Sequence, residues 1–127
     1  MTMGMKRELR APYDEALLQV VEALKTEGFG VLTEVDIKET LKKKIGVDFR
    51  RYKIFGACNP ALAHEALQSD LTAGLMMPCN VIVYEADGGG AVVVTVDPTQ
   101  AVAGQAHLMG VAEQVRAKLV RVLERLS

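Results

Sequence analysis

Asn80-Val81-Ile82-Val83-Tyr84-Glu85-Ala86, then Asp87-Gly88-Gly89-Gly90, then Ala91-Val92-Val93-Val94-Thr95-Val96 is the stretch on which the fold turns. Two runs of β-branched and aromatic residues flank a turn in which glycine supplies the conformations that other residues avoid, so a β-hairpin is expected. In the second run Val92, Val94 and Val96 share one face, and Ala91, Val93 and Thr95 share the other. Neither face is polar, which is the pattern of a strand covered on both sides. The cover is either another helix or loop of the same chain or a second subunit, and a homodimer is expected.

Elements of matching chemistry extend in both directions. Downstream, after Asp97-Pro98, a long helix is expected whose apolar stripe runs from Leu108 through Val111, Ala112, Val115, Leu119, Val122 and Leu123 to Leu126. Upstream, Ser69 to Pro78 reads as a loop, and Asn59 with Pro60 reads as an N-cap and first helical residue opening a short helix through Leu67. Before it lies a strand from Val47 to Ala57, with Tyr52 and Ile54 facing one way and Arg51, Lys53 and Phe55 the other. Asp36 and Glu39 form a capping pattern for a helix that Gly46 ends, with Ile37, Leu41 and Ile45 as a buried stripe. Phe29 to Val35 alternates like a strand, Pro12 to Glu27 has helical periodicity, and Met5 to Arg10 is an opening strand. The expected fold is one α+β domain over residues 1–127. It comprises a mostly antiparallel sheet of about five strands covered by helices, in the order β-α-β-(α)-β-α-β-β-α.

Composition narrows the classes of function. Of the 127 residues 50% are apolar and 24% charged, with a formal net charge of −1, as in ordinary folded domains and unlike disordered chains. The N-terminal residues reach Lys6-Arg7-Glu8 without an apolar run of export-signal length, and no apolar stretch approaches the ~20 residues of a membrane span. A cytosolic protein without a membrane partner is expected. Seven basic and two acidic residues lie between Lys38 and Lys53, whereas Ile54 to Val115 has no lysine or arginine. Only Phe49 and Tyr52 interleave with that basic run and no nucleic-acid motif accompanies it, so it reads as a solvated face.

Chemistry concentrates at two short segments, Gly56-Ala57-Cys58-Asn59-Pro60 and Met77-Pro78-Cys79-Asn80, which hold both cysteines. In a reducing compartment these read as free thiols. Cys58 before a helix start would have its thiolate favoured by the helix dipole; the competing reading is a small apolar residue packed beneath the Asn59 cap. The two thiols share one end of the sheet only if the strands that end at Cys58 and begin after Cys79 are antiparallel neighbours. His64 could join them as a soft metal-ligand set, or could be a half-exposed helix histidine. The spacing is not C-x-x-C, no carboxylate dyad or serine elbow is visible, and the glycine run lacks a phosphate loop's lysine. No catalytic residue or resident metal is assigned, and no cofactor is specified.

Glu27-Gly28-Phe29-Gly30-Val31-Leu32-Thr33-Glu34-Val35-Asp36, Gly46-Val47-Asp48-Phe49, the two Cys-Asn segments, the continuation Val81-Ile82-Val83-Tyr84-Glu85, and Val96-Asp97-Pro98 together resemble a bacterial and archaeal family, domain of unknown function 302. The resemblance covers nearly the whole chain and implies a single α+β domain with a helix-covered sheet. It carries no established activity. The matching positions are Cys58, Asn59, Pro60, Pro78, Cys79 and Asn80. The expected function is binding of a small ligand or metal at a pocket formed by the two Cys-Asn elements, with Cys58, Asn59, Pro60, His64, Pro78, Cys79 and Asn80 as candidates. A thiol redox or sensing protein using Cys58 and Cys79 is the first alternative, and a structural or partner-binding module without chemistry is the second.

Overall fold

The computed structural model describes residues 3–127, in chain order β1 (Met5–Leu9), α1 (Tyr13–Thr26), β2 (Gly30–Asp36), α2 (Ile37–Ile45), β3 (Tyr52–Cys58), α3 (Pro60–Ser69), a 3₁₀ segment (Leu71–Met76), β4 (Cys79–Glu85), β5 (Ala91–Thr95), α4 (Pro98–Ala101) and α5 (Ala106–Glu124). The strands form a single five-stranded sheet of order β1-β5-β4-β3-β2 in which every neighbouring pair is antiparallel. This is the expected α+β class. The hairpin forms as read, its turn using Gly89 and Gly90 at φ 93° and 80°.

The register separates the two faces of the sheet. Phe55, Val81, Val83, Ala91 and Val93 lie in the main core with Ala16, Val20 and Leu24 of α1 and Leu119, Val122 and Leu123 of α5. Tyr52, Ile54, Ile82, Tyr84, Val92 and Val94 occupy alternate positions and therefore the opposite face. The helical periodicities of α1 and α5 thus bury against one face only. α2 touches β2 and β3.

Four local expectations are corrected. α2 is capped as read, with the Asp36 carboxylate accepting from the Glu39 N–H at 3.0 Å and Gly46 at φ 68°, yet none of its residues is buried and Ile45 is 67% exposed. The third strand starts at Tyr52, not Val47, because side chains satisfy the backbone before it. Lys38 Nζ donates to the Phe49 carbonyl at 2.8 Å, and the Arg51 N–H donates to the Glu85 carboxylate at 2.9 Å. The segment Ser69 to Pro78 contains a 3₁₀ turn capped by Asp70. The helix after Asp97-Pro98 is divided, since Gly104 at φ 86° breaks the chain between α4 and α5.

Three of the seven basic residues of the run are paired with carboxylates. Lys42 pairs with Asp48 at 3.0 Å, Arg50 with Asp87 at 2.7 Å, and Arg51 with Glu85 at 3.0 Å and Asp14 at 3.3 Å. Exposed pairs of this kind each contribute at most ~1 kcal/mol, but together they tie residues 46–51 to the hairpin and to α1.

Candidate functional site

The antiparallel pairing of β3 with β4 settles the topological question posed by the cysteines. Ala57 pairs with Cys79 and Gly56 with Asn80, so the end of β3 and the start of β4 lie side by side at one end of the sheet. Both cysteines are free and half-buried. They border a common cavity of about 250 Å³.

Above this sheet end α3, the 3₁₀ segment, α4 and the first turns of α5 form a second, smaller apolar cluster around Ala66, Ala73, Val102, Leu108 and Ala112. The cavity lies where that cluster meets the main core, with Phe29 and Ala57 on one side and Ala63, Ala66 and Ala112 on the other. Alanine is too short to fill the gap between opposed elements, and dense packing of longer side chains would have closed it. Among the described residues the lining contains no charged side chain; its polar groups are the two thiols, Asn59 and Asn80. Leu75 and Met76 stand at the rim, 83% and 45% exposed.

Each sequence-derived candidate has a definite place. Asn59 is fully used by the scaffold. Its Oδ1 accepts from the Leu62 N–H at 3.3 Å as the α3 cap, and its Nδ2 donates to the Glu27 carbonyl at 3.2 Å, tying α3 to the end of α1. Pro60 is the first helical residue and is exposed. The Pro78 ring lies over Gly56, where a Cβ would strike both that ring and the Thr33 hydroxyl. That contact accounts for glycine before the first Cys-Asn element. Cys79 opens β4, and burial together with the nearby Cys58 pushes its thiol up to about 11, so it is a neutral thiol at physiological pH. Asn80 is exposed at the rim; its carbonyl accepts from the Val96 N–H at 3.1 Å, and among the described residues no hydrogen bond engages its side-chain amide.

His64 is not brought to this place. It is exposed on α3 and does not line the cavity. The set of Cys58, Cys79 and His64 is therefore not assembled, and among the described residues no group of three His, Cys, Asp or Glu side chains is arranged to hold a metal.

Two further residues, unassigned in the sequence, hold the roof down. Asp70 accepts from the Thr72 N–H at 2.9 Å and hydroxyl at 2.6 Å, and its other oxygen meets His107 Nε2 at 2.8 Å. Asp97 repeats this with the Thr99 N–H at 3.0 Å and hydroxyl at 2.6 Å, while Arg116 Nε donates to it at 3.1 Å. The signal for both was the repeated Asp-x-Thr, a local capping motif. Each motif caps a short segment over the cavity and anchors it to α5. The Thr72 and His107 contacts pull the Asp70 carboxyl down to about 2.

Among the described residues no helix is long and apolar enough to cross a membrane. No curated protein matches the chain. A crystal structure of an uncharacterized conserved protein DUF302 from Bacillus stearothermophilus is similar to it over 100% of both chains, with 28% sequence identity and a TM-score of 0.92. The model of the domain of unknown function DUF302 matches residues 5–126, and the chain belongs to that family.

Proposed function

We propose that this protein binds a small, uncharged, mainly apolar ligand in the cavity between the two Cys-Asn elements and the α5 roof. The observation that carries this reading is a lining of apolar side chains and the neutral Cys79 thiol, without a charged side chain among the described residues, beside one unengaged amide, Asn80, at the rim. Ligand sites commonly combine apolar walls with a few polar groups that set orientation. The volume, about 250 Å³, is slightly below the usual ~300 Å³ lower bound for drug-sized ligands and suits a small molecule. A protonated Cys79 serves here as wall rather than nucleophile. The paired free thiols fit a reducing, cytosolic setting, and the apolar residues on both faces of β5 support a homodimer.

The test uses the neutral fluorescent probe N-phenyl-1-naphthylamine. Saturable fluorescence enhancement is expected with the native protein, weakened at least tenfold in Ala63→Trp, which fills the cavity from its half-buried wall. Absence of saturable binding, or equal binding by a folded Ala63→Trp protein, would sink the reading.

A further inference from the structure

We infer that the sheet face opposite α1 and α5 is the surface on which a second copy of this chain docks; this rests on the homodimer reading above and names its interface. Ile54, Ile82 and Val94 stand in one row straight across β3, β4 and β5, and Tyr52, Tyr84 and Val92 form the next. No charged side chain interrupts either row. Val35, paired with Ile54, continues the first row onto β2 and is 42% exposed. On β1 the residues in register with these rows are Lys6 and Glu8, which neutralise each other at 3.5 Å. The face thus offers apolar area bordered by a balanced charge pair, with no net sign for a charged partner to read.

Its composition is that of an interface centre. The Tyr52 and Tyr84 rings stack with centroids 5.5 Å apart and planes 8° apart, Phe49 abuts Tyr52 at 6.2 Å, and the Arg50 guanidinium lies 6.0 Å from the Tyr84 centroid. Aromatic residues and arginine are enriched in the cores of protein interfaces and among their dominant contacts. Size points the same way. Five strands ~4.8 Å apart and about six residues long, at ~3.3 Å each, span roughly 480 Å² of plane. Two copies would cover about 1,000 Å², the threshold for specific association, before side-chain relief is counted. The apolar part of that plane is its centre, where Val92 is already buried at 6% exposure and the other row residues of β3, β4 and β5 are half-buried. A flat face complementary to itself needs only a two-fold axis, and the two sheets would pack about 10 Å apart with their side chains between them.

Light scattering at a fixed protein concentration tests this with the full chain, Ile82→Lys, Ile54→Lys as a second disruptor, and Leu18→Lys as a control. Leu18 is 70% exposed on α1, on the far side of the sheet. The native chain and Leu18→Lys should run at twice the chain mass. A lysine variant that keeps the native circular dichroism spectrum should run as a monomer, its dissociation constant raised at least a hundredfold. A native monomer would overturn the homodimer reading and this surface together. A dimer surviving in folded Ile82→Lys or Ile54→Lys, or lost in Leu18→Lys, would overturn this surface and leave the homodimer reading standing.

Discussion

Cys79 and Asn59 show how differently two residues of similar motifs are used. Asn59 spends both ends of its amide on the scaffold, one as a helix cap and one as a tie to the Glu27 carbonyl, so its presence is explained without a ligand. Cys79 makes no such commitment, and its environment acts on its proton. In the unfolded chain its thiol titrates at 9.0, and in the folded protein at about 11, because the thiolate would be buried beside a second sulfur. Below pH 9 both states hold the proton and stability is unaffected. Between pH 9 and 11 the unfolded thiol ionises while the folded one does not, so stability falls as pH rises, by about 2 kcal/mol at most. Urea unfolding across that window should show the loss in the native protein and a shallower one in Cys79→Ala; parallel curves would contradict it.

The elements over the cavity are short, and short helices are marginal without tertiary anchors. Their anchors are the two aspartates. Asp70 caps the 3₁₀ segment and reaches across to His107, while Asp97 caps α4 and reaches Arg116. With its carboxyl held down at about 2 against an ordinary 3.8, Asp70 adds stability that is present above pH 4 and lost as pH falls toward 2. Acid titration of stability should therefore be steeper between pH 4 and 2 in the native protein than in Asp70→Asn, which lacks the titrating group. Equal slopes would show that the latch adds nothing. α2 teaches the complementary lesson. Its cap and C-terminal glycine were legible from neighbouring residues, but the burial of its Ile37-Leu41-Ile45 stripe was not, since burial depends on what the chain places opposite it.

Across the whole molecule, Phe55 anchors the core face of the sheet and is 1% exposed, so Phe55→Ala should destabilise the protein by about 3–5 kcal/mol in urea unfolding. A loss under 1 kcal/mol would mean that the core lies elsewhere. The α+β class, the hairpin, the Asn59 cap and the glycines ending α1 and α2 were all readable from residue order. Each is set by interactions within a few positions: strand alternation, caps that satisfy orphan N–H groups, and positive-φ turns. The end of β3 and the start of β4 could be named but not placed together. That required the antiparallel pairing of Ala57 with Cys79, which the order of residues leaves open. A pocket at the two Cys-Asn elements was expected, but its walls and size were not legible, for the same reason. It is a space between alanines of α3 and α5, roofed by contacts such as Asp70 to His107, 37 positions apart, and space is a property of packing rather than of any residue. Residue order thus specified which segments are strands and helices and where they begin and stop, because those preferences are local. Strand order, the cavity and the apolar rows on the second face of the sheet arose only when distant segments met, because burial is fixed by the partner and not by the residue alone.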